Sequence, residues 1–204
     1  MNHLVTLLLA TSLVMNACNA QDPPEAYCGD MGTLKVGDEA PKFKTADIHG
    51  NVLDLAELTK DKQVVLVFYR GAWCPYCNKH MSHLQDSLAF IEAKHAVVIA
   101  VSPELPESAE DIIATSGATF SVVHDEGYSI MCAYGTAFEM PKARRSMLKL
   151  AGLNVDKANG NEDGVLPVPA TFIISTDGRI KAVHFDPNYK ERMSVKDILS
   201  ALEG

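Results

Sequence analysis

One continuous apolar run limits what this chain can fold into more than any other feature. Residues 64–69 are valine, leucine, phenylalanine or tyrosine at every position, which is typical of a central strand covered on both faces. The run leads directly into Cys74-Pro75-Tyr76-Cys77. Over residues 75–94 the apolar side chains then recur at three- and four-residue steps, which predicts a helix with one core-facing stripe: Met81, Leu84, Leu88 and Ile91. We therefore predict a buried strand, a CxxC motif and a long helix, in that order.

The rest of the chain continues this alternation of strands and helices. Further strands are predicted at residues 43–46, 52–55, 96–101, 120–124, 171–175 and 180–185. Helical patterns cover residues 107–115, 128–133, 143–150 and 195–202, and residues 154–164 read as a polar loop. The last two strands flank a Gly-containing turn and predict a hairpin. This order predicts an α/β fold, with a mixed central sheet that has helices on both faces.

The amino terminus is predicted to be a leader rather than part of the fold. Residues 4–15 are apolar but shorter than the roughly 20 residues that span a bilayer. Two endings compete: cleavage before Gln21, or a lipobox-like sequence in which Cys18 is lipidated and tethers the protein to a membrane. We therefore expect a signal peptide or lipoprotein leader at residues 1–20, a linker at 21–34 and one domain at 35–204. The protein is expected to be exported to a bacterial periplasm or cell envelope.

Composition excludes some classes of function. Hydrophobic residues make up 47% of the chain and charged residues 22%, which is ordinary for a globular protein. The formal net charge of −8 repels a phosphate backbone, so nucleic acid is not an expected partner.

The CxxC motif carries the predicted chemistry. A cysteine at a helix N-terminus has a lowered pKa, because backbone N–H groups favour the thiolate. The two-residue spacing brings the second sulfur within disulfide range. Cys74 is therefore placed to attack and Cys77 to resolve, with a Cys74–Cys77 disulfide as the oxidised form. Pro75 suits the first helical turn, Trp73 shields one side of the pair, and Tyr76 lies between the cysteines.

A metal site is the alternative interpretation of the same motif. It would need Cys74 and Cys77 together with His80 and His83, which do not share one face of a helix. Redox chemistry is favoured, no metal or other cofactor is expected, and the two histidines are predicted to be solvated. Cys132 is predicted to be a buried small side chain and Cys28 a linker thiol available for pairing with another chain.

A second element supports redox chemistry. Pro169 precedes the predicted strand that begins near Thr171. A proline at such a strand entry is a candidate for a cis peptide bond, which is uncommon enough to indicate a purpose.

These segments resemble the CPxC-containing, peroxiredoxin-like (AhpC/TSA) branch of the thioredoxin-like superfamily. The resemblance rests on residues 37–43, 67–77 and 167–178 and covers the chain from about residue 34 onward. It implies a thioredoxin-like fold, a peroxide substrate and a thioredoxin-like or other dithiol reductant. It also implies supporting roles for Arg70, Pro169 and Thr171 beside the cysteines.

The family's usual PxxxTxxC pattern leaves the attacking sulfur open. Aligned on residues 68–69, the pattern places Arg70 at the proline, Cys74 at the threonine and Cys77 at the peroxidatic cysteine. The threonine hydroxyl is absent, and Arg70 is a candidate substitute for the family's later arginine. Thiol-dependent peroxide reduction is the favoured function. A thiol–disulfide oxidoreductase of the cell envelope and a metal-binding carrier are the alternatives.

Overall fold

A computed structural model describes residues 25–203 of the chain. The predicted leader and the start of the predicted linker, with Cys18, lie outside the described residues. The strands are β1 (Lys44–Ala46), β2 (Val52–Asp54), β3 (Gln63–Phe68), β4 (Ala96–Ser102), β5 (Ser121–His124), β6 (Ala137–Glu139), β7 (Val165–Pro167), β8 (Ala170–Ile174) and β9 (Ile180–Phe185). The helices are α1 (Leu55–Leu58), α2 (Pro75–Asp86), α3 (Leu88–Glu92), α4 (Pro106–Ser116), α5 (Ser129–Ala133), α6 (Lys142–Leu150), α7 (Val155–Asn159) and α8 (Val195–Glu203), with a short 3₁₀ turn at Glu126–Tyr128.

The central sheet has five strands in the order β5-β4-β3-β8-β9. Strand β3 pairs in parallel with β4 and antiparallel with β8, so the sheet is mixed. Alternate residues of β3 enter two separate hydrophobic clusters, with Val65 and Val67 in one and Val64 and Leu66 in the other. Helices supply residues to both clusters, and the predicted mixed sheet between helical layers is confirmed.

The predicted long helix at residues 75–94 is two helices. Ser87 ends α2 and begins α3 with φ −107° and ψ 5°, outside the α-helical region. Leu84, Leu88 and Ile91 keep their three- and four-residue spacing across this break and are all buried. Periodicity alone therefore could not reveal the interruption.

The segment predicted as a polar loop contains a helix. The Asn154 side chain accepts a hydrogen bond from the backbone N–H of Lys157 and so caps α7. Val155 and Asn159 are buried four residues apart. Arg145 on α6 pairs with Asp156 on α7 at 2.6 Å, which joins the two helices. This insertion lies between β6 and β7, whose pairing the sequence did not predict.

The first described residues run along the domain. The backbone N–H groups of Tyr27 and Gly32 donate to the carbonyls of Ala137 and Gly135, both at 3.0 Å. We call residues 25–34 the N-terminal strap.

Each helix in the described part of the chain is too short or too polar to traverse a bilayer.

Candidate active site

The two cysteines of the CxxC motif lie at the end of β3, where the sheet meets α2. Cys74 is the N-cap of α2, with extended backbone (φ −96°, ψ 112°), and Pro75 occupies the first helical turn. The Cys77 N–H donates to the Cys74 carbonyl at 2.9 Å. Both sulfurs are free thiols, and the residues are only 2% and 0% exposed. The geometry therefore presents a reduced and nearly buried dithiol.

The surroundings shift the pKa values of the two thiols in opposite directions. The hydrogen bond from the Cys77 thiol lowers the pKa of Cys74 to about 6, with further help from Arg70 and Arg192, although burial acts against it. Burial raises the pKa of Cys77 well above its ordinary value, and the neighbouring Cys74 raises it further. At neutral pH this arrangement favours a Cys74 thiolate that accepts a hydrogen bond from a protonated Cys77. Of the two assignments that the sequence left open, the electrostatics favour Cys74 as the attacking sulfur.

Arg70 is the buried cation of the site. Its residue is 5% exposed, and its guanidinium carbon lies 4.9 Å from the Trp73 ring centroid and 4.5 Å from that of Tyr189. Such stacking holds a guanidinium through cation–π attraction. Tyr76 meets Tyr189 edge to face at 5.7 Å. The structure thus brings the predicted supporting residues Arg70, Trp73 and Tyr76 together.

Arg192, Tyr189 and Glu104 also reach the site, and sequence reasoning missed all three. The Nη2 group of Arg192 lies 3.6 Å from the Cys77 sulfur, although 115 residues separate them in sequence. Glu104 follows β4, which runs parallel to β3, so both strands end at the same edge of the sheet. The shared edge of these two strands could have indicated Glu104 from the sequence. No local sequence pattern distinguishes Arg192 or Tyr189 from other surface residues.

Glu104 fixes the loop between β3 and α2. Its Oε2 accepts a hydrogen bond from the Ala72 N–H at 2.8 Å, and the Ala72 carbonyl accepts from Asn78 at 2.9 Å. Gly71 has φ +149°, and a Cβ there would collide with Trp73 Nε1 and lie 2.6 Å from Glu104 Oε1. This position therefore requires glycine. Glu104 is 1% exposed, and burial raises its pKa to about 8.

Replacing Glu104 by glutamine should stabilise the protein, and more so at higher pH. In the unfolded chain the carboxyl ionises near 4.5, whereas in the fold it stays protonated up to about 8. Stability from the protonated group is therefore complete below the unfolded pKa and is lost as pH rises through the folded one. Glutamine keeps the acceptor for Ala72 without this loss. We expect a gain of roughly 1–3 kcal/mol at neutral pH, measured by urea unfolding of Glu104→Gln and wild type across the range from about pH 5 to 8. A gain that does not grow with pH would contradict the assignment.

Pro169 directly precedes β8, and Thr171 lies within it, next to the end of β3. Thr171 is buried and pairs with Val67, and Ala170 pairs with Phe68. All peptide bonds in residues 25–203 are trans, so the expected cis bond at Pro169 is wrong. The trans isomer is the lower-energy form for an X–Pro bond, and the neighbouring Val168 N–H donates to Thr136 at 2.7 Å within this extended backbone.

The prediction that both helix histidines are solvated is wrong for His80. His80 is 6% exposed, whereas His83 is exposed. Burial lowers the pKa of His80 to about 3, helped by Arg192, so its ring is neutral. The reason is that the residues before α8 cover this face of α2. Within residues 25–203 no three or more Cys, His, Asp or Glu side chains gather as metal ligands would.

Cys28 and Cys132 are joined to each other by a disulfide. The prediction of a linker thiol for another chain and a separate buried thiol is therefore wrong. The two residues are 104 positions apart in sequence, and their Cα atoms are 5.5 Å apart. The strap carries Cys28 along β6 to α5, where Cys132 lies, so the long-range packing of the strap makes the pair.

A cavity of about 600 Å³ lies next to the site, although neither cysteine is among the residues that line it. It lies between α2 and the segment before α8, and Tyr76, His80 and Arg192 contribute to its lining. Since Arg192 also contacts Cys77, this cavity reaches the edge of the site.

A family model and several curated relatives match this chain. The model of the AhpC/TSA family matches residues 36–183. A Mycobacterium tuberculosis protein named as a putative peroxiredoxin is 27% identical over 75% of this chain and 86% of its own length. The thiol-disulfide oxidoreductase ResA of Bacillus anthracis is 24% identical over 83% of this chain and 80% of its own.

Solved structures show the same fold at lower identity. The crystal structure of peroxidoxin BcpB from Mycobacterium tuberculosis superposes with a TM-score of 0.64 at 20% identity, over 83% of this chain and 97% of that one. Reduced Prx3 from Vibrio vulnificus, solved in complex with hydrogen peroxide, superposes with a TM-score of 0.65 at 18% identity, over 83% of this chain and 99% of that one. These likenesses confirm the thioredoxin-like fold.

Proposed function

The chain belongs to the AhpC/TSA family, whose model covers most of its length, and on that premise we propose that it is a thiol-dependent peroxidase working through Cys74 and Cys77. The observation that carries this proposal is the position of Cys74, nearly buried at the N-terminus of α2 beside Cys77, where the charge of Arg70 helps to lower its pKa. A peroxide is small enough to reach such a sulfur. The guanidinium stabilises the negative charge that develops on the departing oxygen.

The proposed cycle begins at Cys74. Its thiolate attacks one peroxide oxygen, the O–O bond breaks, and the departing oxygen takes a proton from solvent. Cys74 is thereby oxidised to a sulfenic acid and the peroxide is reduced to water or an alcohol. The Cys77 sulfur then attacks the Cys74 sulfur, and the thiol proton leaves with the sulfenic hydroxyl as water. The resulting Cys74–Cys77 disulfide is reduced by thiol exchange with a thioredoxin-like or other dithiol.

The peroxidase is tested by measuring both the peroxide consumed and the disulfide formed in one turnover. We expect the reduced protein to consume one peroxide for each Cys74–Cys77 disulfide formed, with a fluorescence change at Trp73, the single tryptophan of the chain. A Cys18→Ser/Cys28→Ser/Cys132→Ser variant is the matched control, because Cys74 and Cys77 are then its only cysteines and its thiol count reports that pair alone. Intact thiols after exposure to excess hydrogen peroxide and to an organic hydroperoxide would refute the peroxidase.

A thiol–disulfide oxidoreductase is the second candidate, and the complete CxxC motif favours it. A thiolate with a low pKa at a helix N-terminus, followed by a protonated partner, suits exchange with a disulfide as well as with a peroxide. This reading predicts that a Cys77→Ser variant forms a stable mixed disulfide with a protein client through Cys74. Reduction of protein disulfides at a rate exceeding that of peroxide consumption would favour this candidate over the peroxidase.

Export to a bacterial periplasm or cell envelope is part of the same proposal. It is supported by the apolar residues 4–15 and by the Cys28–Cys132 disulfide, since disulfides persist in oxidising compartments. A membrane tether through Cys18 is testable by mass spectrometry of the mature amino terminus, which distinguishes a lipidated cysteine from cleavage before Gln21.

A further inference from the structure

Two arginines, Arg70 and Arg192, lie next to the dithiol, and a third, Arg144, approaches the same aromatic ring as Arg70. Within residues 25–203 no Asp or Glu oxygen lies within ion-pair distance of Arg70, Arg144 or Arg192. Arg192 donates instead to backbone carbonyls and contacts the Cys77 sulfur. The Nε group of Arg70 is buried without a hydrogen-bond partner. Of the three, Arg70 is the buried one, and a buried cation ordinarily has an anionic partner, which no carboxylate in residues 25–203 provides.

Two of the arginines converge on one aromatic ring. The guanidinium carbons of Arg70 and Arg144 lie 4.5 Å and 5.9 Å from the centroid of Tyr189. Arg144 is close enough for its positive charge to lower the pKa of Arg70, after the larger effect of burial. Arg144 lies on α6, which the neighbouring Arg145–Asp156 ion pair anchors to α7. Two like charges, one buried and one exposed, are therefore held on the same ring of Tyr189.

The oxidation state of the cysteines decides how much negative charge faces these arginines. In the reduced protein a Cys74 thiolate supplies the negative charge that most favours the charged form of Arg70. When Cys74 and Cys77 form a neutral disulfide, that anion disappears and the arginines stay charged. The attraction for an external anion is consequently greatest in the oxidised protein, which is the form that meets the reductant.

We propose that Arg70 and Arg144, stacked at Tyr189, form a carboxylate-binding subsite for a small thiol that reduces the Cys74–Cys77 disulfide. This inference rests on the dithiol–disulfide cycle proposed above, but not on peroxide as the oxidant. A guanidinium binds a carboxylate through two parallel N–H···O hydrogen bonds, which orient the bound thiol as well as attract it. A cavity of about 600 Å³ borders the subsite through Tyr76, whose ring packs edge to face on Tyr189, and it is of the size that small ligands occupy.

The reduction uses two molecules of the thiol. The first thiolate attacks the Cys74 sulfur, the Cys74–Cys77 bond breaks, and the electron pair goes to the Cys77 sulfur, which takes a proton. The second thiolate attacks the sulfur of the bound thiol, and the Cys74 thiolate leaves. The products are the disulfide of the small thiol, a Cys77 thiol and a Cys74 thiolate. The low pKa of Cys74 makes it a good leaving group in the second step.

The test measures reduction of the disulfide by two thiols that differ in one group. Protein oxidised with diamide is mixed with β-mercaptopropionate or with its amide, and reduction is followed by Trp73 fluorescence and by thiol counting. Rates are compared per thiolate, at low salt. We expect wild type to react about tenfold faster with the carboxylate, the effect of one charge-assisted hydrogen bond. In Arg144→Gln this ratio should fall to less than about threefold.

Lys149→Gln is the matched control, because Lys149 is an exposed cation on the same helix without a place in the subsite. It should keep the wild-type ratio. The subsite would be overturned if wild type reacted equally fast with the carboxylate and the amide. An equal fall of the rate ratio in Arg144→Gln and Lys149→Gln would overturn it as well. A second arm treats reduced protein with a hydroperoxy fatty acid and with its methyl ester. A carboxylate preference confined to that arm would overturn the assignment to a reductant. Diamide rather than peroxide forms the disulfide in this test, so the result can be interpreted even if the protein is not a peroxidase.

Discussion

Cys74→Ser should abolish peroxide-driven oxidation of the protein, with a loss of at least about a thousandfold in the rate of the first step. The thiolate is the nucleophile, and a serine hydroxyl does not ionise near neutral pH. Cys77→Ser should retain the first step and stop there, because the sulfenic acid on Cys74 then has no thiol to condense with. Single-turnover peroxide consumption, with mass spectrometry of the trapped sulfenic acid, separates the two variants.

The pH dependence of the thiols gives this prediction an independent check. Alkylation of Cys74 should rise with the thiolate fraction, with a midpoint at about 6, and become flat above neutral pH. Cys77 should react only at strongly alkaline pH, because burial raises its pKa. If Cys74→Ser instead keeps the sulfenic acid and Cys77→Ser loses it, the attacking sulfur is Cys77, as in the PxxxTxxC alignment.

Removing the Cys28–Cys132 disulfide should lower the free energy of unfolding by about 3–5 kcal/mol. The bond closes a loop with a sequence separation of 104 residues, and chain-entropy estimates for loops of about that length are near the upper end of this range. Without the bond, the strap is held by a few backbone hydrogen bonds such as that from Tyr27 to Ala137. Urea unfolding of Cys28→Ser/Cys132→Ser measures the loss, and the denaturant slope should rise because the unfolded chain is less constrained.

The comparison is cleanest in a Cys74→Ser/Cys77→Ser background, where a reductant acts on Cys28–Cys132 alone. In that background dithiothreitol should lower the free energy of unfolding by the same amount as Cys28→Ser/Cys132→Ser does. Dithiothreitol should have no effect on the protein that also carries Cys28→Ser/Cys132→Ser. If dithiothreitol leaves the free energy of unfolding unchanged, or if Cys28 is alkylated without prior reduction, the disulfide does not form in solution.

Local patterns in the sequence were sufficient for the architecture around β3. The apolar run at residues 64–69 predicted a strand covered on both faces, and Val64 and Val65 do enter opposite clusters. The CxxC motif predicted thiols at a helix N-terminus, and Cys74 is the N-cap of α2. These features depend on neighbours within one or two turns or on a single strand, which is the range over which periodicity and capping operate.

Other features were beyond the sequence because they depend on contacts between distant segments. Ser87 interrupts a helix without disturbing its apolar spacing, and the strap brings Cys28 to Cys132 across 104 positions. Arg192 reaches Cys77 from the segment before α8. No local pattern encodes such approaches, since each is set by how whole elements pack.

The sequence by itself therefore determined that this protein is an α/β chain with a dithiol at the start of a helix. Only the tertiary structure decided which sulfur is favoured as the thiolate and which charges surround it. The physical reason is that a pKa depends on burial and on nearby charges and hydrogen bonds. For Cys74 and Cys77, Arg192 supplies one of those charges from more than a hundred residues away.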